Sequence, residues 1–291
     1  MPVTVDDGTI TWRELWNEVH GRVGDRLVAR WICEEASGFD GAEFVVALGA
    51  PATERAVHRL DGMVARVSLG EPVQYVVGHW AFRHLDLLVD RRVLIPRPET
   101  EVLVELALAR ARDRRGTVRC VDLGTGSGAV GLSLAHELPL ATTRVWLTDV
   151  SADALDVARA NAAGLGASAV NVRFALGSWW SALPDELRGE VDLIVSNPPY
   201  IADDDAELEA VVSEWEPPGA LFAGADGLDA IREIAAEVTG WLAPGGSVLV
   251  EIGHRQSEEA AELFERAGLR EVGVEPDLSG RARFLVGRAV D

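Results

Sequence analysis

Lysine is absent from the 291 residues, so all 27 basic side chains are arginine. Neither a Schiff-base lysine nor the lysine of a phosphate-gripping P-loop can operate in such a chain. Cysteine is almost as scarce: Cys33 and Cys120 stand far apart, in no metal-ligand spacing. Their isolation argues against a disulfide framework and against a thiolate zinc site, and two buried thiols are expected instead. Basic charge is short overall, 27 Arg against 47 Asp plus Glu, for a formal net charge of −20. That balance has the wrong sign for a protein that holds a phosphate backbone by counterion release, so no direct nucleic-acid contact is expected. A basic protein partner suits it better. No apolar run reaches membrane-spanning length, and Met1–Thr11 carries Asp6 and Asp7 where a targeting segment would place basic and then apolar residues. A cytoplasmic protein that does not enter the membrane, working as a monomer, is the expectation.

With 48% hydrophobic and 25% charged residues, the chain can bury a core in one large domain or two smaller ones. From Trp12 to about Leu69 apolar residues recur at helical spacing, as in Leu27, Val28, Trp31 and Ile32, then Val57, Leu60, Val64 and Val67. Residues 1–70 therefore read as a small helical domain, with breaks at Gly38–Gly41 and Gly49–Pro51 and a cap at Thr53. Residues 71–93 read as a β-hairpin linker, with short apolar stretches at Val73–Val77 and Leu85–Val89. In residues 94–291 strand and helix signals alternate. Strands are expected at Val118–Leu123, Arg144–Thr148, Val170–Ala175, Val191–Ser196, Ser247–Ile252 and Arg283–Val286. Helices are expected at Ala129–Leu138, Ala152–Ala163, Leu228–Leu242 and Ser257–Ala267. Alternation of this kind predicts an α/β fold with a mostly parallel, Rossmann-like sheet and ligands at the carboxyl ends of its strands.

Two segments carry chemistry. Val121-Asp122-Leu123-Gly124-Thr125-Gly126-Ser127-Gly128 runs from a strand through a glycine-rich turn into a helix, where backbone can approach a ligand closely. Asp149 follows at the end of the second strand, where a carboxylate can accept from both hydroxyls of a ribose. Loop and acid together describe an adenosine-cofactor site. Gly126, Gly128 and Gly131 also meet the dinucleotide spacing, so NAD stays open at this point. The second segment is Val195-Ser196-Asn197-Pro198-Pro199-Tyr200, at the end of a later strand. Two prolines fix φ and remove two N–H donors, which leaves nearby carbonyls as acceptors. Asn197 adds a side-chain acceptor and Tyr200 an aromatic face. Acceptors on both hydrogens of a planar NH2 group, with a ring against it, suit an amide or a conjugated amine whose delocalised lone pair must be turned toward an electrophile.

These segments, with Glu71-Pro72-Val73-Gln74-Tyr75-Val76-Val77-Gly78 and Leu94-Ile95-Pro96-Arg97-Pro98-Glu99-Thr100-Glu101, resemble the HemK/PrmC family of protein N5-glutamine methyltransferases from about Glu71 to Arg288. The resemblance implies an N-terminal helical domain for substrate recognition, a hairpin linker and a class I S-adenosylmethionine-dependent methyltransferase domain. It implies transfer of a methyl group from S-adenosylmethionine to the glutamine of a Gly-Gly-Gln loop in peptide chain release factors. By the same resemblance Gly124, Thr125, Gly126, Ser127, Gly128, Asp149, Trp179 and Asn197 bind the cofactor. Asn197, Pro198, Pro199 and Tyr200 grip the glutamine amide, with Asn197, Pro198 and Tyr200 as the catalytic group. Two positions depart from the family pattern: Ser178 and Ala282 stand where an Asp is usual.

Other readings run alongside. A glutamine methyltransferase of a ribosomal protein has the same signature, and an exocyclic-amine methyltransferase of nucleic acid would use the same Asn-Pro-Pro-aromatic clamp. A degenerate cofactor-binding regulator is suggested by Ser178 and opposed by the intact clamp. Arg97, Glu99 and Glu101, ahead of a helix, either serve its dipole or cover the site. His79, His84, His136 and His254 have no ligand spacing, and no metal is expected. Of the adjacent Trp179 and Trp180, the first is the expected ligand neighbour. Asp203–Asp205 reads as solvated loop.

Overall fold

The computed structural model describes residues 9–112, 114–205 and 210–291. The chain divides into two compact units, Met1–His79 and Trp80–Asp291.

The first unit is helical: α1 Trp12–Val23, α2 Arg26–Ser37, α3 Gly41–Ala47, α4 Glu54–Ser68 and α5 Val73–Val77. Polar side-chain caps set where α1, α2 and α4 begin. Thr11 and Glu14 form a reciprocal capping box on α1, the Asp25 carboxylate accepts from the N–H groups of Leu27 and Val28, and Thr53 accepts from Ala56. The apolar faces meet in one core that includes Trp12, Leu15, Ile32, Phe44 and Val64. Cys33 lies buried in it.

Val73–Val77, expected as the first strand of the linker, is helical. Four apolar residues around a single Gln74 are too short a stretch to carry a period that separates helix from strand, so their surroundings decide. The Pro72 carbonyl accepts from the N–H groups of Tyr75 and Val76, and Gly78 ends the turn in the left-handed region. Arg66 grips Glu71 with two hydrogen bonds and donates to the Tyr75 and Val76 carbonyls. The hairpin is shorter and later, pairing β1 His79–Phe82 with β2 Leu85–Leu88. Its turn residue Arg83 holds a positive φ of 52°. It is pinned there by two guanidinium bonds to Glu137 and by its own N–H to Glu101.

The second unit continues with α6 Thr100–Arg112, β3 Val118–Leu123, α7 Ala129–Glu137, β4 Thr143–Asp149, α8 Ala152–Gly164, β5 Val172–Leu176 and β6 Val191–Ser196. It ends with α9 Ala210–Trp215, α10 Asp229–Trp241, β7 Leu242–Glu251, α11 Ser257–Arg266, β8 Arg270–Pro276 and β9 Ala282–Arg288. The seven strands run in the order β5-β4-β3-β6-β7-β9-β8. Neighbours from β5 to β7 are parallel, and β9 is antiparallel to both β7 and β8. In this unit every strand expected from sequence is present: β3 and β6 have the expected bounds, β4, β7 and β9 are longer, and β5 starts two residues later and ends one later. The dinucleotide fold closes instead on a further parallel strand beyond the fifth, so this antiparallel edge separates the two architectures. Edge strand β8 has no buried residue. Its apolar alternation is limited to the half-buried Val272 and Val274, too short a pattern to reveal it in the sequence.

Helices α6, α7 and α8 cover one face of the sheet around Leu103, Leu132 and Leu147. Helices α10 and α11 cover the other around Ile231, Trp241 and Phe264. Buried Cys120 lies in β3. On α8, Asn161 accepts from Leu88 N and donates to the carbonyls of Leu88 and Ser127. One side chain thus ties β2 to the glycine-rich turn after β3.

Candidate active site

The carboxyl ends of β3, β4 and β6 are laced together before the chain leaves them. Ser196 Oγ donates to the Leu123 carbonyl at 2.7 Å, Thr148 Oγ1 to the Asp122 carbonyl at 3.2 Å, and Thr125 N to the Thr148 carbonyl at 2.8 Å. These bonds hold Asn197 and the glycine turn at the rim of one cavity of about 380 Å³. A pocket at this edge of an open α/β sheet is where ligands bind in such folds.

Of the residues expected at the site, Gly124, Thr125, Gly126 and Ser127 line the cavity, as do Asp149, Trp179, Asn197 and Pro199. Gly128, Pro198 and Tyr200 do not. Gly128 caps α7, and Pro198 is buried behind the wall. Among the described residues no N–H donates to the Pro198 carbonyl. The Tyr200 ring lies 4.9 Å from the Arg283 guanidinium, and its hydroxyl donates to Glu251 Oε1 at 3.4 Å. Burial pushes the Tyr200 phenol well above its ordinary pKa, with the Glu251 charge adding to the rise. A general base is therefore not to be sought in this tyrosine.

Gly124 has φ of 72°, and a Cβ there would stand 3.5 Å from a ring carbon of Trp179. The indole covers the turn, and the bare backbone beneath it is open to a ligand. Trp180 turns the other way, stacks on Trp241 at 5.9 Å and donates to the Glu233 carbonyl. Ser178 lines the cavity beside Trp179. Ala282 opens β9 opposite Pro276. Glu101, expected ahead of the helix, occupies the first turn of α6, while Arg97 lines the cavity and pairs with the buried Glu216 at 2.5 Å.

Asp149 holds the loop as well as facing the cavity. Its Oδ2 accepts from Gly126 N and its Oδ1 from Ser151 N, both at 2.9 Å. Burial raises its pKa against those hydrogen bonds. Asp122, beneath the loop, is fully enclosed and accepts from Thr125 Oγ1 at 2.6 Å and Gly131 N at 2.9 Å. Burial pushes its carboxyl up to about 6.

That shift has a measurable sign. In the unfolded chain Asp122 ionises near its ordinary value of 3.8, and in the folded protein near 6. The neutral carboxyl favours the folded state, so its contribution is complete below the lower value and is lost as the pH rises through the upper one. Relative to Asp122→Asn, the wild-type protein is expected to lose unfolding free energy as the pH rises from about 4 to about 6. Urea unfolding of both proteins across this window checks it, and a pH-independent difference would contradict it.

Sequence reasoning missed a group behind Asn197. Thr100 from α6, Glu251 from the end of β7 and Arg283 from β9 meet there: Asn197 Nδ2 donates to Thr100 Oγ1 at 3.3 Å, and Thr100 Oγ1 donates to Glu251 Oε2 at 2.7 Å. Arg283 Nη2 donates to Tyr200 Oη at 2.9 Å, and Arg283 Nε lies 3.5 Å from Glu251 Oε1. The one signal in the sequence is an acid, Glu251, inside an otherwise apolar strand at its ligand end.

Comparison with known proteins places this geometry among methyltransferases. The family described as Methyltransferase small domain matches residues 99–214, and PrmC N-terminal domain matches residues 18–78. A protein of Xylella fastidiosa (strain Temecula1) named release factor glutamine methyltransferase is 44% identical over 243 residues, 84% of each chain. One of the same name from Bordetella pertussis is 44% identical over 262 residues, 90% of this chain and 94% of that one. In a crystal structure of a methyltransferase from Pyrococcus furiosus the likeness is one of fold, with TM-score 0.53 and 19% identity over 79% of this chain and 100% of that one.

Proposed function

Because the chain belongs to the family of release factor glutamine methyltransferases, we propose that it transfers a methyl group from S-adenosylmethionine to the side-chain nitrogen of the glutamine in the Gly-Gly-Gln loop of peptide chain release factors. The observation that carries this is the cavity wall shared by the glycine turn, Asp149 and Asn197, which sets a nucleoside-type subsite beside an amide-type subsite. The antiparallel β9 edge agrees with the class I methyltransferase fold and not with a nicotinamide-dependent oxidoreductase.

The residues present fit the cofactor. The turn at Gly124–Ser127 offers side-chain-free backbone under the Trp179 ring, and Asp149 supplies a carboxylate at the strand end. These residues would hold it, and when bound it supplies a methyl group on a positively charged sulfur. The protein's own task is to prepare the amide nitrogen. Asn197 Oδ1 at the cavity wall accepts from one of its two N–H groups, and the Pro198 carbonyl, outside the cavity lining but with no donor among the described residues, is assigned the other. Their grip tightens as the nitrogen turns pyramidal and its protons become acidic, so these acceptors act mainly in the transition state. One N–H proton leaves after the N–C bond forms, and no base is required before attack.

Residues 1–70 are assigned to recognition of the protein substrate, 71–93 to a linker and 94–291 to methyl transfer. The net charge of −20 favours a basic protein surface over nucleic acid. Among the described residues no helix is long and apolar enough to cross a membrane, and the reading places a monomeric protein in the cytoplasm with the translation machinery. Methyl transfer from tritiated cofactor, measured in parallel on release factor, ribosomal protein and RNA, tests it. Label confined to release factor, and lost when its loop glutamine is replaced, is the expected result. Label on RNA or ribosomal protein instead would reject the assignment.

A further inference from the structure

We infer that Glu251 is a positioning residue that orients the Asn197 amide through the hydroxyl of Thr100. The inference rests on the reading of Asn197 given above as the acceptor for the substrate amide. An asparagine side chain presents a carbonyl on one edge and NH2 on the other, and only the carbonyl edge can accept a substrate N–H. Something must hold it the right way round.

The proton inventory supplies the answer. A threonine hydroxyl has one proton to donate. In Thr100 that proton goes to Glu251 Oε2 at 2.7 Å, so toward Asn197 the hydroxyl can only accept. It accepts from Asn197 Nδ2 at 3.3 Å, which leaves Oδ1 as the free acceptor on the amide edge away from Thr100. Both Thr100 and Asn197 line the reaction cavity, whereas Glu251 is completely buried behind them. The second carboxylate oxygen is occupied in the same sense, since Tyr200 Oη donates to Glu251 Oε1 and accepts from Arg283 Nη2. An ionised Glu251 can only accept, and it therefore fixes the direction of both hydroxyl protons.

Protonation reverses this. A neutral Glu251 can donate to Thr100, whose own proton is then free to turn toward Asn197, and the amide loses its bias. The groups facing Glu251 come from four elements: Arg283 from β9, Tyr200 after β6, Thr100 from α6 and Glu99 just before α6. Burial raises the Glu251 pKa, opposed by Arg283 and the two hydroxyls and assisted by Glu99. Orientation should then fail at a higher pH than an ordinary carboxylate would allow.

Single-turnover methyl transfer to release factor by the full chain, at saturating cofactor and release factor, tests the idea. Glu251→Gln offers Thr100 either a carbonyl or an NH2 edge, and is expected to slow transfer about 10- to 100-fold, the usual scale for a group supporting a site residue. Its cofactor Kd should stay within about twofold, because the turn and Asp149 are untouched. The wild-type rate should fall on the acid side with a midpoint above the ordinary glutamate range, and this limb should vanish in Glu251→Gln. Saturation with cofactor keeps changes of cofactor affinity out of the comparison, and an acid limb arising from Asp122 or Asp149 would persist in Glu251→Gln. Thr100→Ser, which keeps the hydroxyl, should transfer near the native rate, and Thr100→Val should match Glu251→Gln. A folded Glu251→Gln with the native rate and acid limb overturns the inference, and so does Thr100→Val transferring as fast as Thr100→Ser. The Thr100 pair decides the matter if Glu251→Gln does not fold. Absence of transfer by the wild-type protein would instead overturn the proposed function, and this inference with it.

Discussion

Asn197→Ala is expected to lower the single-turnover rate of methyl transfer by roughly 10²–10³, the scale on which one preorganised polar contact to a developing charge acts. Release-factor affinity should barely change. The separation follows from where each kind of contact is made: a protein substrate binds over a broad surface, while the acceptor edge of Asn197 meets a single nitrogen at the cavity wall. Asn197 also donates to Thr100, so truncation leaves that hydroxyl without its donor at the margin of the site. This loss should appear as a small stability change, because Thr100 keeps its bond to Glu251. Saturating cofactor and substrate isolate the chemical step. Asn197→Asp retains acceptor oxygens, loses the donor to Thr100 and brings a second carboxylate close to Glu251, so a partial rate that worsens as the pH rises is expected. If Asn197→Ala transfers methyl at the native rate under these conditions, Asn197 only shapes the turn after β6.

What could be read from the sequence followed from how compactly each feature is written. The glycine turn and the Asn-Pro-Pro-Tyr segment are contiguous, each placed after an apolar strand, and the parallel order of β3 to β7 turns their adjacency to strand ends into adjacency in space. Thr100, Glu251 and Arg283 are scattered over more than 180 residues and share no motif. Only the sheet order, with β9 beside β7, brings Arg283 to Glu251. Val73–Val77 misled because a short apolar run has no period, and Pro72, Gly78 and Arg66 settle it as a helix. Tyr200 was legible as an aromatic at the site, yet its hydroxyl partners Glu251 and Arg283 were not, so its place behind the wall emerges only from the fold. In the sequence Asp149 signals only an acceptor for a ligand, while the structure has it holding Gly126 and Ser151 as well.

This double duty shapes the second large effect. Asp149→Ala is expected to weaken S-adenosylmethionine binding by about 1.5–3 kcal/mol, or about 10- to 150-fold in Kd, for loss of a charge-assisted hydrogen-bond pair. Some of that loss would arise even without direct contact, because Gly126 N and Ser151 N lose their acceptor and the loop loosens. Adenosine ligands that lack the ribose hydroxyls separate the two contributions. If Asp149 receives those hydroxyls, their removal weakens binding to the wild-type protein and costs little more in Asp149→Ala, a coupling that a loosened loop alone would not produce. Calorimetric titration of both proteins with hydroxylated and deoxygenated ligands completes the cycle. Affinity in the wild-type protein should also decline with acid at a higher pH than for an ordinary aspartate, since burial raises the Asp149 pKa and its protonation removes the anionic acceptor. Additive losses, with each change costing the same in either background, would leave Asp149 as a brace for the glycine turn and assign the ribose to another residue.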